Sequence, residues 1–152
     1  MRDLGTLGGS SSYGMAINSY NKVVGYSSIN DMDNVHAFLS DGVTMKDLGS
    51  LGGKSIEADH SVALGVNDHD EVVGYSYLAP EYQTDSPIGL LPVQTGFIYR
   101  DGKMTDLNTL IGIAAKVYRI HSALAINANG QIVASAFNSE SGTFSAVLLT
   151  PQ

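Results

Sequence analysis

Two links in this 152-residue sequence place a histidine beside other groups that move protons or hold charge. Residues 54–61 contain His60, and residues 116–122 contain Tyr118, Arg119 and His121. On a shared face, His60, His121 and Tyr118 would supply acid and base. Arg119 would neutralise developing charge, as eliminative cleavage of a polysaccharide requires. A histidine just before a strand also serves as an ordinary hydrogen-bonded surface residue, so the pattern admits both readings. A second candidate lies between Tyr77 and Thr95, an insertion that carries Pro80, Pro87 and Pro92, three of the four prolines. Proline stiffens a loop that would otherwise be costly to order. There Tyr77, Glu81, Tyr82, Gln83 and Asp85 form either a ligand-facing lid or a cover over an open end of the core.

Other chemistries find little support. The chain has no Cys, which excludes thiolate metal sites, disulfides and a Cys nucleophile. Asn67-Asp68-His69-Asp70-Glu71 and Asp31-Met32-Asp33-Asn34 offer oxygen ligands without the spacing and glycine of a calcium loop, and neither a metal nor another cofactor is expected. No Gly-x-Ser-x-Gly elbow is present, and Gly8-Gly9 and Gly52-Gly53 read as bends between units, with no helix after them to make a phosphate site. Eight Lys and Arg against fifteen Asp and Glu give a formal charge of -7, with no basic and aromatic track for phosphates. Nucleic acid is not expected as a partner. The opening Met1-Arg2-Asp3-Leu4-Gly5 lacks the charged-then-apolar pattern of a leader, and no apolar run approaches the roughly 20 residues of a membrane span.

The elements that must position these residues come in copies. Asp3-Leu4-Gly5-Thr6-Leu7-Gly8-Gly9 returns as Asp47-Leu48-Gly49-Ser50-Leu51-Gly52-Gly53 and, altered, as Asp106-Leu107-Asn108-Thr109-Leu110-Ile111-Gly112. Each copy leads into an apolar run, a short polar turn and a second apolar run. The turns start at Asn18, Asn67 and Asn127 and place Asn21, Asp70 and Gly130 at the one position that needs a left-handed backbone. A second hairpin follows, with Asp41-Gly42 and Asp101-Gly102 as its turns. The result is about four strands per unit, in one domain of three repeats near residues 3–46, 47–105 and 106–152 plus 1–2. The third unit stops before its last strand. Met1-Arg2-Asp3-Leu4 aligns with Met45-Lys46-Asp47-Leu48, so the N-terminus is expected to supply that strand beside residues 146–149. Residues 110–120 allow a short helical turn or a strand.

These motifs resemble the HAF repeat, a family of extracellular bacterial repeats named for the tripeptide seen here as His36-Ala37-Phe38. The heptad, the Ile-Asn turn and the Val-Val-Gly-Tyr-Ser strand carry the likeness over nearly the whole chain. The second and third units replace the tripeptide by Thr95-Gly96-Phe97 and Ser145-Ala146-Val147. The resemblance implies a secreted or cell-surface protein and a propeller-like β repeat, without implying a reaction.

The expectation is therefore an all-β chain whose repeats close into a pseudo-threefold propeller-like or prism-like ring, monomeric or paired by strand exchange. Its leading functional reading is a non-catalytic module that holds a glycan or a protein on one face. The alternatives are a small lyase using Tyr and His, and a purely structural repeat.

Overall fold

The computed structural model describes residues 1–30, 34–53, 58–79 and 93–151. Glu81, Tyr82, Gln83 and Asp85 fall outside the described residues, as do Asp31 to Asp33. The chain is all-β and forms three antiparallel sheets. The first holds β1 (Ser12–Ile17), β2 (Val23–Ser28), β3 (Val35–Ser40) and β4 (Met45–Asp47) in sequence order. The second repeats it with β5 (Ser61–Val66), β6 (Val72–Leu78), β7 (Val93–Arg100) and β8 (Lys103–Asp106). The third has β9 (Tyr118–Ile126), β10 (Ile132–Asn138) and β11 (Thr143–Leu149). Between β8 and β9 run two 3-10 turns, Leu107–Thr109 and Gly112–Lys116, in place of a longer helix.

The first hairpin of each unit solves its turn as the composition demands. Asn21, Asp70 and Gly130 have φ of 60°, 60° and 72°. The preceding Asn18, Asn67 and Asn127 each accept two backbone N–H bonds on Oδ1, which fastens the loop at both ends. The Asp-Gly turns diverge. Asp101 and Gly102 are both left-handed, the signature of a tight primed turn, whereas Asp41 caps a wider loop by accepting the N–H groups of Val43 and Thr44.

Packing joins the sheets in sequence order. β1, β2 and β3 lie on β5, and β5, β6 and β7 lie on β9. One buried cluster combines Val24 and Ala37 of the first sheet and Leu48, just after β4, with Ala63, Val72, Phe97 and Tyr99 of the second sheet. The other combines Val73, Ile98 and Leu107 with Ile120, Ala123, Ile132 and Ala134. Val24 and Val73, Leu48 and Leu107, Ala63 and Ala123, and Val72 and Ile132 occupy matching repeat positions, so one interface is built twice. The heptads make the crossover between units: Leu7 N–H donates to Ser27 Oγ at 2.8 Å, and Leu51 N–H to Ser76 Oγ at 2.9 Å.

The N-terminal strand expected to complete the third sheet is absent from this arrangement. Residues 1–6 carry no strand, and among the described residues β11 is an edge with β10 as its neighbour. The stacking explains this: the first sheet lies on the second and the second on the third, so residues 1–4, beside the first sheet, are kept from β11 by the sheet between. Leu7 and Gly9 are bonded to Ser27 and Ser28 of the first sheet, and the Arg2 side chain lies by Gly42 of that same unit.

Candidate functional site

The repeat places corresponding side chains in a row along one rim of the sheets. Ser11 and His60 occupy one position just before the first strand of their unit, where the third unit has Arg119, and His121 lies two residues further on. Tyr26 and Tyr75 share a second position, and Ser28, Tyr77 and Phe137 a third, two residues further along the strand. Val35, Gln94 and Phe144 share a fourth. In the second and third units these positions have become polar and aromatic together.

Their contacts join two rings within the first sheet and run on from the second sheet to the third. Tyr13 stacks on Tyr26 with ring centroids 4.9 Å apart. Tyr75 meets Tyr77 edge to face at 6.4 Å, and His60 meets Tyr77 at 6.1 Å. The Tyr77 hydroxyl donates to Gln94 Oε1 at 3.4 Å, and Gln94 Nε2 donates to His121 Nδ1 at 3.0 Å. His121 in turn lies 5.3 Å from Phe144, which lies 5.3 Å from Phe137. Tyr13 and Phe144 are more than half exposed, at 53% and 59%. Tyr26, Tyr75, Tyr77, His60, His121 and Phe137 are half-buried.

A bulge aims His121. β9 pairs Ile120 with Ala136 and Ser122 with Ser135, leaving His121 as the extra residue between them. Such a bulge redirects a side chain without ending the sheet. Burial, and then the charge of Arg119, lower the His121 pKa below that of a free imidazole. The ring is therefore neutral at pH 7. With Gln94 donating to Nδ1, its proton sits on Nε2. Tyr75 is shifted in the opposite sense for a base: burial first, then the phenols of Tyr77 and Tyr26, raise its pKa.

Of the residues proposed as an acid and base set, His60 and His121 are thus joined through Tyr77 and Gln94. Arg119 is close enough to act on His121 electrostatically. Tyr118 departs from the set, because it packs against the buried cluster beneath the third sheet. Gln94, Phe137 and Phe144 were not singled out from sequence, although the repeat alignment signals them as departures from Val35 and Ser28.

A second polar cluster surrounds His36. Its Nδ1 lies 2.9 Å from Asp47 Oδ1 and its Nε2 lies 2.8 Å from Asp59 Oδ1. Ser50 Oγ donates to the same Asp59 oxygen at 2.7 Å. Burial alone would depress the His36 pKa, but the hydrogen bonds and charges of Asp47 and Asp59 outweigh it and the net shift is upward. For Asp47, burial pushes upward and is outweighed by the His36 bond, the Gly49 N–H and the His36 charge, giving a lowered pKa. At the matching place in the second unit, Thr95 Oγ1 donates to Asp106 at 2.7 Å, and Asn108 bonds Thr95 and the Ile120 backbone. The tripeptide histidine is thus a clip between units.

No group of three or more His, Asp or Glu arranged to hold a metal occurs among the described residues. Among these residues, too, no helix is long and apolar enough to cross a membrane. The chain matches no protein-family model, no curated protein and no solved structure.

Proposed function

We propose that this protein is a non-catalytic binding module that holds a neutral glycan along the rim from Tyr13 to Phe144. The observation that carries the reading is the row Tyr13, Tyr26, Tyr75, Tyr77, His121 and Phe144 across three sheets, in contact from Tyr75 to Phe144 and interleaved with amide and imidazole donors. Sugars present alternating apolar C–H faces and hydroxyl edges. Exposed rings stack on the first, and Gln94 and His121 serve the second. The charge of -7 disfavours polyanions, which makes a neutral glycan the better fit. Proton chemistry is supported less well. Tyr75 is moved away from the pKa a base needs, Tyr118 packs on the core, and the histidines sit on a rim instead of in a closed cleft. The resemblance to HAF repeats adds a secreted or cell-surface setting to the proposal.

The chain has eight Tyr and no Trp, so tyrosine emission reports the row directly. Titration with neutral β-glucan oligosaccharides should quench that emission, with uronate oligosaccharides as the comparison. A ring that stacks on a ligand contributes about 1–2 kcal/mol, so Tyr77→Ala and Phe144→Ala should each weaken binding about five- to thirtyfold. Equal binding by both variants would reject the rim, and release of unsaturated sugar from the uronate series would favour the lyase.

A further inference from the structure

The third sheet presents the same outward face as the other two, and among the described residues none packs over it. Val24 and Leu39 of the first sheet, and Val73 and Ile98 of the second, are turned toward the following sheet and lie in or against the buried clusters. The matching residues of the third are Val133 and Leu148, which are 45% and 61% exposed. Where β3 and β7 each pair with a fourth strand, β11 has no second strand partner among the described residues. Beside that edge a cavity of about 690 Å³ opens among Ile98, Leu107, Ile132, Leu148 and Leu149. In the second unit the corresponding place is occupied by Met104, which pairs with Tyr99 and packs against the cluster shared with the first sheet.

The other end of the chain carries the complement. Gly5 N–H donates to Asp3 Oδ1 at 2.9 Å and Ser12 Oγ to the Gly5 carbonyl at 2.7 Å. The same bonds run from Gly49 to Asp47 at 2.7 Å and from Ser61 to Gly49 at 2.5 Å, directly after β4. The segment that follows a fourth strand is thus already formed at the N-terminus, while Met1 is fully exposed.

We propose that residues 1–3 of a second copy of this chain add to β11 as its fourth strand, so that copies join head to tail through a third version of the internal interface. The register carries over from β3 and β4, where Phe38, Leu39 and Ser40 oppose Asp47, Lys46 and Met45. Val147, Leu148 and Leu149 then oppose Asp3, Arg2 and Met1 of the second copy. Met1 enters the cavity as Met104 fills its own. Ser145 donates to the incoming Asp3 as Thr95 does to Asp106. The Ala146 N–H donates to Ser12 of the incoming copy, as the Ala37 N–H donates to Ser61 at 2.8 Å. Addition of a strand to an open edge satisfies a whole row of backbone groups at once. The contact is heterologous, with a different patch on each copy, so it builds a closed ring or an open row according to the turn per copy.

Opposed residues of an antiparallel pair lie within disulfide reach, and this chain has no competing Cys. Arg2→Cys and Leu148→Cys chains, tagged to differ in mass, are mixed and mildly oxidised. A templated pair raises the effective concentration far above that of free encounter, so the mixed product should exceed either same-variant product by about tenfold or more. Equal yields of the three products would overturn the proposal. So would a double variant, with Arg2→Cys and Leu148→Cys in one chain, that cross-links within itself, the mark of self-closure. Sedimentation of the unmodified chain gives the independent check. Larger species should grow with concentration and vanish when residues 1–3 are removed, and a monomer throughout would overturn the proposal equally.

Discussion

The His36 clip makes a prediction whose sign and pH window both follow from its geometry. The imidazole sits between two carboxylates, with one ring nitrogen bonded to each and a side chain only 10% exposed. As imidazolium it donates to both. As a neutral ring it has one N–H, so one carboxylate faces a lone pair and the clip is half broken. Hydrogen bonds to charged partners contribute about 1.5–3 kcal/mol each when sheltered. Asp47 is nearly half exposed, which reduces its share, so about 2–3 kcal/mol for the two together is a fair figure at a pH where His36 is charged.

Because the folded-state pKa of His36 is raised, this stability is fully present below the ordinary pKa of 6.5 and is lost as pH climbs through the raised value. Asp47 sets the acid limit. Its pKa is lowered, so its contribution is present above 3.8 and fades as pH falls through the depressed value. The perturbation is His36→Gln, which keeps a polar side chain but removes the charge. Thermal melts of both proteins at mildly acidic and at alkaline pH are compared. At the acidic point the variant should melt about 5–10 °C lower, using about 2–4 °C per kcal/mol for a chain of this size. At the alkaline point the gap should shrink by half or more. A gap that stays constant with pH, or widens toward alkali, would refute the imidazolium clip.

The remaining predictions concern the same frame. Gly74→Ala should cost more than about 3 kcal/mol, because an added Cβ would stand far inside contact distance of the Val62 carbonyl oxygen in the paired strand; an unchanged denaturant midpoint would contradict that contact. Asn67→Ala should cost about 2–4 kcal/mol and Asn127→Ala about 1 kcal/mol in urea melts, since only Asn67 is buried and its amide also bonds the Asn127 carbonyl at 3.1 Å, while Asn127 caps its own turn; equal losses would show that the turn-to-turn bond adds nothing.

Much of this fold was legible because each repeat states the same local problem in different letters. Asn21, Asp70 and Gly130 are different residues, yet each tolerates the left-handed backbone, so their shared place in the pattern located all three turns. Closure was not legible. Met1-Arg2-Asp3-Leu4 reads as a fourth strand whichever third sheet it is meant for, and sequence similarity cannot say whether that sheet belongs to the same chain. The crossover bonds of Leu7 and Gly9 to the first sheet hold this segment by its own unit, and those depend on geometry. The site was half legible. His60 and His121 each lie near the start of a unit's first strand and stood out by residue type, whereas Gln94 became visible only as the side chain that spans Tyr77 and His121. The second unit replaces His36 by Thr95, which answers the same need with a neutral network.

The repeat explains why the rim and the clip sit where they do. Inward positions must meet the next unit's side chains, so Val24 and Val73 are identical and Ala63 and Ala123 are identical. Rim positions carry no such constraint and differ: Ser11, Ser28 and Val35 of the first unit stand where the second has His60, Tyr77 and Gln94. The first unit contributes the stacked pair Tyr13 and Tyr26. On the proposed head-to-tail contact, that pair would follow Phe137 and Phe144 of the preceding copy, just as Tyr75 and Tyr77 follow Tyr26 within the chain. One interface, repeated between copies, would then lengthen the ligand-facing row at the same step as it covers Val133 and Leu148, converting single weak contacts with a polymer into multivalent ones.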